Sequence, residues 1–355
     1  MNHIKTDNRK SVLVALSGGV DSALSAALLQ RDGKEVKGLH FVLPTLPAIA
    51  NGRLSEAQKI AEHLEIPLDI LDIKSPFKKK VIDPFIDLYL KGMTPNPCVT
   101  CNQLIKFKYL CEYAKKENID YIATGHYARI KKNRKGQMEI IRGDDPNKEQ
   151  TYFLHRLNQT HLKKVLFPLG LMTKKEVRQK ALALKLSVHS RAGSQEICFI
   201  PDNNYRKLVL DQQGHENLPK GNIINTENLI LGEHSGIYNY TIGQRHGLGI
   251  ASSRPYYVKE IRPETSEIVV GRKEDLFSRH VEVNDFNWIT DPPQKELRVS
   301  AQVRYHHRAA PGRLIPFSPQ KIQFIFDEPQ WGLTPGQALV CYHEDILLGG
   351  GWILK

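Results

Sequence analysis

No apolar run in this 355-residue chain reaches the roughly 20 residues needed to span a bilayer. The first ten residues, Met1 to Lys10, are polar and hold no apolar leader core. Both absences lead to the expectation of a cytoplasmic protein with no membrane partner. Cysteine is scarce and odd in number: Cys98, Cys101, Cys111, Cys198 and Cys341. So sparse a set, without an export signal, argues against a disulfide framework and for thiol chemistry or ligation at some positions. Cys111 and Cys341 sit in apolar contexts and read as buried fillers. Negative charge is in deficit, with 38 Asp plus Glu against 50 Lys plus Arg and a formal net charge of +12. That excess favours a polyanionic partner, because basic side chains release counterions from a phosphate backbone. There is no internal repeat and no low-complexity tract, and nothing demands more than a monomer. What is present, 41% hydrophobic residues over this length, supports a proper core divided over two or three domains.

The first half alternates strand and helix patterns. Ser11 to Leu16 reads as a buried strand, and Asp21 to Gln30 as a helix that Gly33 is placed to end. Val36 to Val42 is a second strand. Leu54, Ala57, Ala61 and Leu64 recur at helical spacing before Pro67, and Leu68 to Ile73 is a third strand. Helices follow near Phe77 to Leu90 and Leu104 to Lys116, then a strand at Tyr121 to Thr124. This alternation predicts an α/β domain whose parallel sheet is covered on both faces. Thr173 and Glu176 make a capping box ahead of Val177 to Leu184. Past residue 205 helical periodicity fades. Leu297, Val299, Ala301 and Val303 alternate with Arg298, Ser300, Gln302 and Arg304, while Ile322, Phe324 and Phe326 alternate with Lys321, Gln323 and Ile325. Period two predicts antiparallel β structure. The expected division is an α/β domain over 1–204, a small central domain over 205–275 and an antiparallel β-barrel over 276–355.

Ser17-Gly-Gly-Val-Asp-Ser22 lies between the first strand and first helix. Two glycines let backbone approach an anion, and the hydroxyls and N–H groups at a helix start can hold phosphate oxygens. No lysine follows the glycines, so this is not the common GxxxxGK[ST] loop. Thr94-Pro-Asn-Pro-Cys-Val-Thr-Cys-Asn102 places Cys98 and Cys101 on a proline-stiffened loop just before a helix, where a thiol's pKa is lowered. Cys198 stands in Ser194-Gln-Glu-Ile-Cys-Phe199. A lone CxxC without a second one does not make a Cys₄ zinc site, and two structural cysteines remain the plainer alternative.

The loop resembles that of the PP-loop ATP pyrophosphatases, whose signature is SGGxDS. Around it the chain carries TPNPxxxCN with Ile105-Lys-Phe107, Ala123-Thr-Gly-His-Tyr-Ala-Arg129, the run Asp145 to Leu154, the Cys198 motif, Tyr240 to Ile250, Thr334-Pro-Gly-Gln337 and Leu348 to Gly351, in that order. This series, over residues 11 to 352, resembles the tRNA-specific 2-thiouridylases. The resemblance implies a PP-loop (adenine nucleotide alpha hydrolase-like) domain and ATP-dependent 2-thiolation of the wobble uridine, position 34, of tRNA. It implies that Ala15, Leu16, Ser17, Gly18, Gly19, Val20, Asp21, Ser22, Phe41 and Gly125 bind ATP, with Mg²⁺ shielding the phosphates. Cys101 is the implied nucleophile and Cys198 the persulfide carrier, fed by a persulfide donor or relay protein. Asn96, Pro97, Cys98, His126, Lys148, Glu149, Gln150, Arg304, Tyr305 and Gln337 match tRNA-contacting positions. Another PP-loop adenylating enzyme with a small substrate is the alternative, but it leaves Cys101, Cys198 and the basic balance unexplained. A dead nucleotide fold that only binds RNA would predict a damaged loop, and this one is intact.

Three departures from the family pattern stand out. Cys98 occupies a position where many members carry an acid–base Asp, and a thiol does that work only with a tuned pKa. Cys98, Cys101 and Cys198 are also a candidate ligand set for a [4Fe–4S] cluster whose open iron would carry sulfide. Gly193 replaces a common acidic residue, and the loop Leu43 to Arg53 is short. His306 and His307, adjacent in Tyr305-His-His-Arg308, would face opposite sides of a strand and suit an RNA-contacting edge better than a metal. Lys78 to Lys80 reads as a solvated helix face, and Lys131 to Lys135 as a basic hairpin tip.

Overall fold

The computed structural model describes residues 10–186, 197–200, 202–214 and 218–354. Gly193, the Ser194 to Glu196 part of the Cys198 motif and the polar residues 1–9 lie outside the described residues. The chain forms two compact units: Met1–Lys78 with Thr100–Phe199, and Lys79–Val99 with Ile200–Lys355. In chain order the helices are α1 (Val20–Arg31), α2 (Pro47–His63), α3 (Lys74–Phe77), α4 (Asp83–Leu90), α5 (Pro97–Cys101), α6 (Phe107–Lys116), α7 (Gln159–Leu162), α8 (Lys174–Ala183) and α9 (Tyr205–Gln213).

In the first unit, β1 (Ser11–Ala15), β2 (Glu35–Val42), β3 (Leu68–Asp72) and β4 (Tyr121–Ala123) are parallel strands. β5 (Ala128–Lys132) and β6 (Met138–Arg142) form an antiparallel hairpin, and β7 (Val165–Leu166) pairs parallel with β4. The parallel sheet has the order β3-β2-β1-β4-β7. Val12, Leu13 and Val14 of β1 are all buried, the unbroken apolar run that a strand covered on both faces requires. α1 is buried along Ser22 to Ala27 and at Leu29, with small side chains that let it sit close to the sheet. It ends as its sequence predicts: Gly33 takes φ +75°, and the N–H groups of Gly33 and Lys34 return to Gln30 and Leu29. The capping box is present, with Thr173 Oγ1 accepting from Glu176 N and the Glu176 carboxylate accepting from Thr173 N.

Three local expectations change. α2 starts at Pro47, so much of the segment read as a loop is helix, with Pro47 at the first turn where its missing N–H costs nothing. The helix around Phe77 to Leu90 is broken by a π turn, Lys78–Ile82, which carries the three lysines. The CxxC segment is itself helical: α5 runs through a second π turn, Asn102–Lys106, into α6.

The second unit holds a mixed sheet and a barrel. β8 (Gly221–Asn225), β9 (Ile230–His234), β10 (Tyr257–Arg262) and β11 (Glu267–Gly271) form a sheet of order β10-β11-β8-β9 around Ile223, Val258, Ile268 and Val270. β12 (Phe277–Trp288), β13 (Leu297–Gln302), β14 (Ala310–Ser318), β15 (Lys321–Trp331), β16 (Ala338–His343) and β17 (Ile346–Ile353) pair antiparallel in the order β12-β15-β14-β13-β16-β17. Pairing of β12 with β17 closes this six-stranded barrel, which leaves no open edge. The alternating residues are its core: Val299, Ala301, Ile322, Phe324 and Phe326 are buried. The Gly349 to Gly351 run makes closure feasible, since a Cβ would lie 2.2 Å from Asn287 O at Gly349 and 2.6 Å from Asn284 O at Gly351. His306 and His307 lie in a turn between β13 and β14 rather than on a strand.

His155 is fully buried in the first unit, its Nδ1–H donating to Tyr152 O at 2.7 Å. Burial pushes its pKa down to about 3, opposed by that hydrogen bond and aided by the Arg156 charge. The unfolded chain therefore takes up a proton near pH 6.5 that the folded chain refuses until about pH 3. Stability from this group is whole above pH 6.5 and is lost as pH falls, at about 1.4 kcal/mol per pH unit. Urea midpoints between pH 7.5 and 4.5 are expected to fall less steeply for His155→Gln than for the unchanged protein. Equal slopes would contradict this origin of the acid sensitivity.

Candidate active site

Strand order reverses between β1 and β4, the place where open α/β sheets bind ligands beyond their carboxyl ends. The Ser17–Ser22 loop leaves β1 at that point. Ala15 ends the strand, and buried Leu16 ties the chain to β2 through its N–H to Leu39 O at 2.9 Å. Gly18 has φ +78°, and a Cβ there would meet Arg53 O at 2.6 Å, so glycine is required twice over. The loop is internally braced: Ser17 N donates to Ser22 Oγ at 3.2 Å, and Ser22 Oγ donates to Gly19 O at 2.9 Å. Gly19 is the N-cap of α1 and offers no side-chain acceptor. The first-turn N–H groups, from Val20 onward, thus remain a ready anion site, and the residues present fit an ATP phosphate group.

From β4, Thr124 to Tyr127 folds against the first turn of α1. Gly125 permits this, because a Cβ would stand 2.8 Å from Asp21 C and 2.9 Å from Asp21 Cβ. The Tyr127 hydroxyl donates to Asp21 Oδ1 at 2.7 Å, and Lys174 Nζ of α8 meets the two Asp21 oxygens at 2.6 and 2.7 Å. Burial first, then the Asp21 charge, holds the Tyr127 hydroxyl protonated far above neutrality. Neither Tyr127 nor Lys174 was singled out from sequence, although one lies inside the Ala123 to Arg129 motif and the other directly follows the capping threonine. Phe41 lies half-buried near the carboxyl end of β2, and His40 beside it supports the loop through Leu16 O at 2.8 Å.

His126 is packed rather than offered as a charge. Its ring lies 5.8 Å from Phe107 and 5.9 Å from Phe167, with Nδ1 2.7 Å from Thr124 Oγ1. Burial first, and Lys106 second, push its pKa down to about 3, so it is neutral at physiological pH.

Pro97 opens α5 in the first helical position, and Cys98 and Cys101 follow one turn apart on one face. Cys98 is exposed and Cys101 buried. Cys198 is half-buried, its thiol pushed up by burial while the Lys106 and Arg53 charges pull it down. Lys106 and Arg53 are the other functional candidates that sequence reading passed over. Cys341 is fully buried, as a filler residue should be, whereas Cys111 is only half-buried.

In the second unit, Thr334 to Gln337 forms a turn that grips the chain just ahead of Asn96. Thr94 N donates to Pro335 O at 2.9 Å, Gln337 Nε2 donates to Thr94 O at 2.8 Å, and Gly336 has φ +87° with a would-be Cβ 3.1 Å from Thr94 N and O. Several of the residues matched to RNA contacts have internal partners. Glu149 pairs with Arg142 at 2.7 Å, and Gln150 Oε1 accepts from Tyr127 N at 3.1 Å. Arg304 donates to Gly332 O at 2.6 Å and to Thr334 Oγ1. Tyr305 sits in the turn, its carbonyl accepting from Gln302 at 2.6 Å. Lys148 is half-buried on the same loop as Glu149.

Among the described residues, no three Cys, His, Asp or Glu side chains gather where they could hold one metal ion. Cys101 and Cys198 belong to the first unit and Cys98 to the second, so neither unit by itself supplies that three-cysteine ligand set for an iron–sulfur cluster. Mg²⁺ makes a different demand, since it keeps waters and rides on phosphate oxygens with one or two carboxylates, and Asp21 is the carboxylate at the loop. Among the described residues no helix is long and apolar enough to cross a membrane.

A parallel sheet with this loop at its switch point defines a nucleotide-binding domain of the HUP class. Residues 10–202 match the tRNA methyl transferase HUP domain, 207–272 the tRNA methyl transferase PRC-barrel domain and 278–353 the aminomethyltransferase β-barrel domain. The chain is 41% identical over 362 residues to the tRNA-specific 2-thiouridylase MnmA of Geotalea uraniireducens (strain Rf4), covering 99% of this chain and 96% of that protein. It is 43% identical over 360 residues to the protein of the same name from Carboxydothermus hydrogenoformans, covering 98% of each. The MnmA of Geobacter metallireducens is 41% identical over 357 residues, covering 97% of each. The chain belongs to the tRNA-specific 2-thiouridylase family.

Proposed function

We propose that this enzyme uses ATP to adenylate the C2 oxygen of the wobble uridine of tRNA and replaces that oxygen with sulfur carried as a persulfide on Cys198. The observation that carries the reading is the uncapped phosphate-loop helix at the sheet's switch point, in the same compact unit as Cys101 and Cys198. Uracil O2 is a poor leaving group. Its attack on the α-phosphorus forms an O–P bond and expels pyrophosphate, so that AMP becomes the leaving group at C2. The loop N–H groups and hydroxyls orient the phosphates, and Gly125 and Phe41 shape the nucleotide side. Mg²⁺, when bound, neutralises phosphate charge beside Asp21.

The terminal persulfide sulfur then attacks C2, and AMP leaves with the C–O electron pair. A Cys101 thiolate attacks Cys198 sulfur, the S–S bond to the base breaks, and 2-thiouridine is released with a Cys101–Cys198 disulfide. A thiol reductant must reopen that disulfide, and a persulfide-bearing relay protein must reload Cys198. Lys106 and Arg53 favour the sulfur anion at Cys198. Asn96 to Cys98 face the base in this scheme, with Lys148 and the basic balance holding the RNA backbone. No step is routed through an iron–sulfur cluster. Iron retained after anaerobic reconstitution, with charge-transfer absorbance that Cys98→Ala removes, would replace the persulfide route by sulfide on an open iron.

The test is nucleoside mass spectrometry of unmodified tRNA incubated with the protein, ATP, Mg²⁺ and a persulfide donor. 2-Thiouridine is expected only when ATP is present. AMP without thionucleoside would overturn the sulfur route, and neither product on any tRNA would overturn the whole reading.

A further inference from the structure

A basic groove with a volume of about 480 Å³ lies along α8, and of its basic lining residues the steps above use Lys148 alone. Lys148, Lys174, Lys175 and Arg178 line it, with Asp145 as the carboxylate among the lining residues. Lys174, which holds Asp21 of the phosphate loop, brings one part of the groove to the loop. Side chains make this site, because the α8 amino end is already occupied: Glu176 N is bonded to Thr173 Oγ1, and Lys174 N to Asp145 Oδ2 at 2.8 Å. Asp145 is further held by Asn147 N on its other oxygen at 2.9 Å. Its carboxylate is thus drawn onto backbone donors, and the four cationic side chains exceed it in charge.

A concave site with that excess, joined to an ATP loop, suits a compact, highly charged phosphate anion. Adenylation produces one. We propose that the α8 groove receives the pyrophosphate leaving group. The inference rests on the adenylation reading. In the structure Lys174 neutralises Asp21. As the bond between the α-phosphorus and the bridging oxygen breaks, the electron pair stays on pyrophosphate, and Lys174 transfers its ammonium from Asp21 to the β-phosphate. Lys175 and Arg178 then hold the anion outside the adenylation site, which opposes the back reaction.

Calorimetric titration of the full-length protein with sodium pyrophosphate, without tRNA or nucleotide, tests this. Binding is expected, and Lys175→Gln and Arg178→Gln should each weaken it about tenfold through loss of a charge-assisted hydrogen bond. Lys131→Gln, in strand β5, should leave it unchanged. Both residues tested are exposed, so the variants should keep the melting temperature of the parent. An unchanged pyrophosphate affinity in the double variant overturns the proposal. So does a loss confined to tRNA affinity with a shallower salt slope, which would make the groove a seat for RNA backbone phosphates. Because the titration uses no substrate, it is read separately from AMP formation, on which the adenylation reading depends.

Discussion

Cys198→Ala is expected to leave tRNA-dependent AMP formation within a few-fold of the parent and to abolish 2-thiouridine, a fall of at least about 10³-fold from removing a nucleophile. The phosphate loop is braced by its own hydroxyls and by the bond from Leu16 N to Leu39 O of β2, and Cys198 takes no part in that bracing. The adenylation half should therefore survive while the sulfur half fails. A companion effect follows from the thiol's surroundings. Burial raises the Cys198 pKa, while Lys106 and Arg53 lower it. Loading of Cys198 as a thiolate should therefore speed up as pH rises above neutrality, and Lys106→Gln should displace that rise to higher pH. Thionucleoside yield against pH in single-turnover experiments checks both points. A Cys198→Ala protein that still makes 2-thiouridine would sink the assignment, and a pH profile indifferent to Lys106 would remove the electrostatic role.

Gly125→Ala is expected to lower AMP formation by about 10²-fold, the scale of loss for a misplacement near 1 Å. The added methyl would stand 2.8 Å from backbone carbon of Asp21, which has no flexible end to move aside. Either the segment after β4 retreats or the first turn of α1 does. In both cases Tyr127 and Lys174 lose their joint hold on Asp21. Overpacking of this kind also costs about 1–3 kcal/mol, so the melting temperature should fall measurably without loss of fold. AMP release measured well below the melting transition separates the two effects. Activity within twofold of the parent would mean that Gly125 serves only the turn.

Local chemistry was what the sequence displayed. Gly33, the Thr173–Glu176 box, the apolar run of β1 and the alternation around Phe324 each report on neighbours a few residues away, and each appears as read. The phosphate loop was legible for the same reason. Misreadings arose where a local signal had two meanings. Prolines around Asn96 suggested a stiff loop, but Pro97 begins a helix and carries the CxxC with it. Adjacent histidines suggested a strand, but they fall in a turn beside Arg304, whose guanidinium is bonded inward to Gly332. Contacts between distant segments had no local trace at all. The Lys174–Asp21 pair joins residues 153 positions apart, and no pattern in either segment announces it.

The hold of Gln337 on Thr94 crosses 243 positions of chain, and the turn containing Gln337 is itself fixed by Ile353, through its N–H to Gln337 O and its carbonyl to Gly336 N. A ribosome making this protein therefore emits the Asn96 to Cys98 segment long before the turn that steadies it exists. Until β17 emerges and closes the barrel, the nascent chain lacks the Gln337 hold on Thr94. A nonsense mutation near residue 330 would spare the phosphate loop and both cysteines of the proposed relay, yet leave Thr94, just ahead of Asn96, without the Pro335 and Gln337 bonds.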